Sequence, residues 1–397
     1  MILITGATGM VGSEVVKRLS AQGVQVRAVT RDPRKAEVNP LPSVELVHGD
    51  FEDPESMRKA CSGVDRAFLL TNSTERTEQH QIAFTHVAQQ SGVRHIVKLS
   101  QLHADAGSPG RFLRYHAAVE AAIQASGLTF TFLRPNLYMQ GLLNFRQSIQ
   151  QQSAFFAAAG DARISTVDVR DVADVAVAAL TSAQHDNTIY SLTGPEALTF
   201  TDMARQLSKA LGRTITFVDV PPEAMRVTLA DLGFPAWQAD GLLEEFAMYR
   251  RGEAAEIEPG MHEALGRAPG SFDEFASDYT PLFTGGRDEV GLTWRGESLH
   301  NNPVERTAHS ASPCAASAGS TCAPGRAIRA WSRSPRSSAS ATRRAFGWRA
   351  SSLASTTMVL ASAFCAARGR RATRRVVCRE HRCPTLPAAP PRRWLCR

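Results

Sequence analysis

Residues Ile4 to Val16 read ITGATGMVGSEVV, with three glycines spaced G-x-x-G-x-x-G between a strand-like apolar run and a segment of helical period. A chain that leaves a strand and at once starts a helix needs a tight turn. Glycine supplies that turn and removes the side chain that would hold an anion away. The N–H groups at the helix start then face outward with partial positive charge. Gly6, Thr8, Gly9, Met10, Val11 and Gly12 are therefore candidates to seat the diphosphate of a dinucleotide, with the Thr8 and Ser13 hydroxyls as further contacts. The other reading of the motif is a strand-to-helix turn without a ligand.

The pattern outward from this loop agrees with the first reading. The runs MILIT, VQVRAVT, VELVHG, RAFLLT, RHIVKLS and TFTFLR have strand length. Helical periods lie between them near Val11–Ala21, Pro54–Cys61, Glu75–Ser91 and Arg111–Ser126. Near-continuous apolar strands alternating with helices predict an α/β fold, a doubly wound parallel sheet of the Rossmann type. Gly23, Gly92 and Gly127 each close a helical segment, where a left-handed residue belongs. Beyond Pro135 the pattern predicts helices at Tyr138–Gln151 and Val169–Ser182 and strands at Arg163–Thr166, Ile189–Thr193 and TITFVDV, then helical material to Leu282. The expected organisation is a dinucleotide domain over 1–284, with a smaller substrate lobe built mainly from 135–166 and 188–284 whose first strands extend the parent sheet.

The second strand ends 19 residues past Gly12, at VTRDPRK. An acid there bonds a ribose 2′-hydroxyl, whereas an arginine neutralises a 2′-phosphate. Arg31 precedes Asp32, and Arg34 and Lys35 follow, so the charge favours NADP(H) while Asp32 leaves NAD(H) open. Asp50 and Phe51, in HGDFED after the third strand, fall at the carboxyl edge beside an adenine; a helix cap or a core anchor is the alternative for each.

Composition divides the chain in two. Arg306 to Arg397 holds 18 Arg, no Lys and one acid, a formal +17 against +7 for the whole, so the preceding residues sum to −10. The basic pI belongs to this stretch. Residues 285–397 lack period, are rich in Arg, Ala, Ser, Pro and Cys, and bury too little apolar surface to offset backbone ordering, so a disordered tail is expected. Arginine without lysine is what a GC-rich gene gives when read out of frame. A nucleic-acid arm is the rival, weakened by the scarcity of interleaved aromatics. Six of the seven cysteines lie there without paired C-x-x-C spacing, which argues against zinc, and no metal is expected. The lone Cys61 of the body suits a reducing cytoplasm. No secretory signal or membrane span is legible at the start or in Ala350–Ala367.

Together ITGATGMVG, RDPRK, HGDFED, GVRHIVKLS, HAAVEAAIQASGLTFTFLRPNLYM and ALGRAPGSFDEFASDYTPLF resemble an NmrA-like, atypical short-chain dehydrogenase/reductase, near the quinone reductase and azoreductase types, from Met1 to about Phe283. The resemblance implies cofactor contacts from Gly6 to Gly12, at Arg31, Asp50 and Phe51, at Leu70, Thr71 and Asn72, at Lys98 to Ser100, and at Arg134 to Met139, with Pro135 and Asn136 among them. Tyr138 projects from the same segment toward the nicotinamide.

Typical members of the wider class pair a tyrosine with a lysine one helical turn on. Here Tyr115 is followed by Val119, and relatives often begin this helix with histidine, as His116 does, with Glu120 one turn later. His116 and Tyr138 are the candidate catalytic groups; for His116 the alternative is a helix-start residue paired with Glu120. Lys98 suits a phosphate or ribose, or solvent, and Asp168 and Asp171 suit a helix start. The expected activity is hydride transfer from NAD(P)H to a quinone-like or azo acceptor, a small molecule needing little general acid. A non-catalytic redox sensor is the alternative, and a sugar-nucleotide epimerase the weaker third. Homodimerisation is left open.

Overall fold

The computed structural model describes residues 1–32 and 41–285. Arg34, Lys35 and the tail from residue 286 onward lie outside the described residues, and with them the expectations about their charge and order.

Seven strands form one parallel sheet: β1 (Ile2–Ile4), β2 (Val26–Thr30), β3 (Val44–His48), β4 (Arg66–Leu69), β5 (His95–Leu99), β6 (Thr129–Pro135) and, after β7 (Ala154–Ala157), β8 (Thr188–Leu192). Their order is β3-β2-β1-β4-β5-β6-β8. The chain reverses direction across the sheet between β1 and β4, which opens a crevice at the carboxyl ends of these two strands. Helices α1 (Met10–Ala21), α2 (Pro54–Cys61), α3 (Thr77–Gln90), α4 (Arg111–Ala125), α5 (Arg146–Gln152) and α6 (Val169–Thr181) connect the strands.

Strand alternation sorts side chains to two faces. Ile2 and Ile4 of β1 pack with Val11, Val15 and Leu19 of α1 and Val172, Val175 and Ala176 of α6. Leu3 packs the other way, with Met57 of α2, Phe84 of α3 and Val119 and Ile123 of α4. Both faces are covered, which is why these strands read as apolar runs rather than alternating ones. Gly23, Gly92 and Gly127 take φ of 71°, 84° and 80°, the left-handed conformation expected at those helix ends.

The second half departs from expectation in two places. Arg163–Thr166 forms no strand; Ile164 alone bridges Leu198. The strand is β7, whose alanines carry little strand propensity but whose Phe155 and Phe156 are buried. β7 pairs with β9 (Thr216–Asp219) in a separate two-stranded sheet, so only β8 extends the parent sheet. The segment expected as one helix from Tyr138 opens as a 3-10 helix, Met139–Phe145, before α5. Around the small sheet lie α7 (Phe200–Leu211), α8 (Pro222–Asp231), α9 (Ala236–Arg250), α10 (Gly260–Leu265), α11 (Phe272–Asp278) and α12 (Thr280–Phe283). A phenylalanine-rich core of Phe145, Phe155, Phe200, Phe272, Phe275 and Phe283 binds them together.

α10 packs beside the outermost strand. A Cβ on Gly260 would lie 2.1 Å from the backbone oxygen of Ser191 in β8, so helix and strand approach as closely as glycine permits. Gly260→Ala is expected to destabilise the fold by about 1–3 kcal/mol through forced separation of α10 from β8, read as a lower urea midpoint at unchanged slope.

Candidate functional site

The loops at the carboxyl edge of the main sheet carry most of the residues singled out from the sequence. Gly6 takes φ 61°, and a Cβ there would lie 2.8 Å from Leu70 Cγ. A Cβ on Gly12 would lie 2.1 Å from the Gly6 carbonyl oxygen. The loop is thus wound as tightly as two missing side chains allow. Thr5 clips it to the neighbouring strand, its hydroxyl donating to the Leu70 carbonyl at 2.9 Å and accepting from the Leu70 N–H at 2.8 Å. Gly9 is the N-cap of α1, and no side chain caps that terminus, so its first-turn N–H groups face outward beside the accessible Thr8 and Met10. This is a cradle that Cβ atoms would fill, suited to a diphosphate.

Arg31 is exposed directly after β2. Asp50 closes a local turn by accepting the Glu52 N–H at 3.0 Å, while Asp53, not Asp50, caps α2. Phe51 is half-buried, its ring 6.4 Å from His80 and nearly parallel to it, and 5.8 Å from Phe84. Thr71 accepts from Gln81 Nε2 at 2.8 Å, and the Asn72 carbonyl accepts from Thr77. Asn136 commits its amide to Ser165 Oγ and the Ala254 carbonyl, both at 2.9 Å, so its side chain ties the end of β6 to two later loops. Asp168 caps α6 by accepting the Arg170 N–H, and Asp171 accepts the Gly270 N–H; both serve the helix start and the loop against it.

Two cavities meet here. A polar one of about 490 Å³ is lined by Leu70, Ser100, Gln101, His116, Pro135 and Tyr138. An apolar one of about 560 Å³ is lined by Met139, Leu142, Phe200, Met225, Leu229 and Phe246. Leu137 and Tyr138 line both and form the wall between them. Burial holds the Tyr138 hydroxyl well above its usual pKa, helped by nearby Tyr115, so Tyr138 stays neutral. Tyr115 meets Ser73 at 2.8 Å.

Beneath the polar cavity lies a buried charged cluster. Lys98 from β5, Ser100 directly after it and Arg134 from β6 meet His116 and Glu120, one turn apart on α4. Lys98 is 0% exposed, with Nζ 2.7 Å from His116 Nδ1 and 3.2 Å from the Leu99 carbonyl. Glu120 accepts from Ser100 and from both arms of Arg134. Two expectations are corrected. Lys98 does not point to solvent, because strand alternation turns it under α4. His116 and Glu120 do not pair; each is taken by a strand residue that approaches more closely. Burial lowers the Lys98 pKa to about 7, with Glu120 opposing and Arg134 reinforcing. Burial, then Lys98 and Arg134, hold His116 far below its usual range, so its imidazole is neutral.

Sequence reasoning missed this cluster and the apolar cavity. A lysine inside HIVKLS, a central apolar strand, was the available signal for the former. The cavity left none, since its residues come from five separate elements.

The likenesses agree with this geometry. The profile of the NmrA-like family matches residues 1–276. The NAD(P)H azoreductase of Xenophilus azovorans is 33% identical over 283 residues, covering 71% of this chain and 99% of that protein. A (4-alkanoyl-5-oxo-2,5-dihydrofuran-3-yl)methyl phosphate reductase of Streptomyces griseus is 36% identical over 284 residues, with the same coverage. The crystal structure of an NADPH-dependent quinone oxidoreductase of Escherichia coli complexed with NADPH superposes with TM-score 0.64 at 27% identity, over 70% of this chain and 99% of that one. A family profile spanning most of the described fold, and relatives above 30% identity along nearly their whole length, make this chain a member of the NmrA-like family.

Proposed function

We propose that this protein is an NAD(P)H-dependent oxidoreductase that reduces a flat, conjugated small molecule, a quinone-like or azo acceptor. The observation that carries the reading is the apolar cavity of about 560 Å³ sharing the Leu137–Tyr138 wall with the polar cavity. A protein that only senses the coenzyme has no need of a second, greasy chamber beside it. The named reductases among its relatives support the same class.

The bare N-terminus of α1 and the glycine cradle would hold the diphosphate, and Arg31 beside β2 would meet a 2′-phosphate, favouring NADP(H) over NAD(H). Leu70 to Asn72, Ser100 and Pro135 would border the nicotinamide, and residues 135–166 and 188–284 would supply most of the acceptor side. The coenzyme, when bound, supplies the hydride. The chain's own part is to hold the acceptor against the shared wall, keep water out with apolar side chains, and offer a proton from His116. His116 replaces the tyrosine of the ordinary pair. A neutral imidazole suffices, because a conjugated acceptor delocalises the charge it gains.

The reading is tested by following NADPH and NADH absorbance with a quinone and with an azo dye. Turnover is expected; tight binding of both redox forms without turnover would point to the sensor instead. Gly9→Asp places a favoured N-cap residue at an extended backbone position, φ −83° and ψ 174°, so helix stability is expected to hold or rise. Coenzyme affinity by calorimetry should nonetheless fall about 100-fold, since the new carboxylate faces the diphosphate. His116→Gln is expected to lower kcat about 10- to 100-fold with coenzyme affinity unchanged.

A further inference from the structure

Lys98 is an odd residue to find where it is. A lysine with no solvent exposure in the second strand from the crevice needs an anion of its own, yet Glu120, the one carboxylate in the cluster, is already bidentate to Arg134 and accepts from Ser100. The charge count of the cluster is therefore one positive in excess whenever Lys98 is protonated. Its near neighbours are His116 Nδ1 and the Leu99 carbonyl. His116, like Ser100, stands between this interior and the polar cavity, and of the two it is His116 that meets Lys98. Nδ1 is taken by Lys98, and Nε2 has no protein partner among the described residues.

We infer that Lys98 is the proton source behind His116, and that the pair moves a proton by switching the histidine between its two neutral tautomers, with no imidazolium on the way. In the loaded state Lys98 is an ammonium donating to Nδ1, and His116 carries its own proton on Nε2, toward the cavity. When the acceptor has taken a hydride, two electrons with one proton, its anion takes the Nε2 proton. The Nε2–H bond breaks and an acceptor O–H or N–H bond forms. On the far side a Lys98 Nζ–H bond breaks and Nδ1–H forms. Lys98 ends as an amine accepting from Nδ1–H. After product leaves, water in the cavity returns a proton to Nε2 by the reverse path. Lys98 touches no acceptor and acts only through His116, so it is a positioning and supply residue. Its depression to about 7 leaves both forms populated near neutral pH, and His116, pressed by Lys98 and Arg134, resists the charged state that would trap the proton. The groups that set this balance are Glu120 and His116 on α4, Arg134 on β6, and the Tyr115 ring, tilted against His116 with centroids 4.2 Å apart.

The role in turnover rests on the reductase reading above, but the switch itself needs no coenzyme. With the full chain labelled at histidine nitrogens, His116 is assigned by its loss in His116→Gln and followed from about pH 6 to about pH 9. The expected result is Nε2–H at low pH converting to Nδ1–H with a midpoint near 7, and no imidazolium signal. Lys98→Met is expected to hold one tautomer throughout, and to lower kcat about tenfold at unchanged KM. An ordinary imidazolium titration at His116, or a single tautomer across the range in the unaltered protein, overturns the inference, even if Lys98→Met does not fold. Turnover without the switch sinks the relay and leaves the reductase reading standing. A switch in a protein that reduces no acceptor removes that reading and the relay's role with it.

Discussion

The contact on which the site depends is an absence, the missing Cβ of Gly12 above the Gly6 carbonyl. A methyl group there would sit 2.1 Å from that oxygen, so α1 could not start where it does. Because it does start there, the uncapped helix end lies at the switch between β1 and β4, and Thr5 locks that geometry to β4 through the Leu70 backbone. The rest of the carboxyl edge is built out from this fixed point. Parallel pairing from β3 to β8 sends every subsequent loop to the same side, where polar and apolar cavities form next to each other.

The second constraint is electrostatic. A pair in which a tyrosine is served by a lysine on one helix is a local device. Here the charged groups come from separate elements: α4 brings His116 and Glu120, while β5, the residue after it and β6 bring Lys98, Ser100 and Arg134 from beneath. Burying Lys98, Glu120 and a histidine beside a half-buried Arg134 costs desolvation that only mutual pairing offsets. Arg134 and Glu120 satisfy one another, and the remaining positive charge on Lys98 is left with a neutral ring. An arrangement of that kind stores little stability. It fits a group whose protonation state is meant to change.

How much of this was legible can be judged residue by residue. Gly6, Gly9 and Gly12 announced strand, turn and helix because only backbone sterics are involved, and those act between neighbours. The helices α2 and α6 were legible for the same reason, with Asp168 as a local cap, although the cap of α2 is Asp53 rather than the Asp50 considered for it. Lys98 was legible as a residue but not as a partner. Its reading as a phosphate or ribose ligand followed from its place at a strand end, whereas alternation and the packing of α4 decide which face it takes. β7 failed for a related reason: Ala154–Ala157 is four residues long and half alanine, too short to show a period, and pairing with β9, some sixty residues away, makes it a strand.

The sequence by itself determined the doubly wound sheet, the position of the glycine turn into α1 and the break in composition near residue 285, since each follows from short-range sterics, period or charge. Tertiary structure alone decided that His116 leans on Lys98 rather than Glu120, that Asn136 spends its amide on Ser165 and Ala254, and that an apolar chamber stands behind Tyr138. Those outcomes are contests between partners distant in the chain, settled by which side chain arrives closest once the layers pack. No local pattern records distance in space.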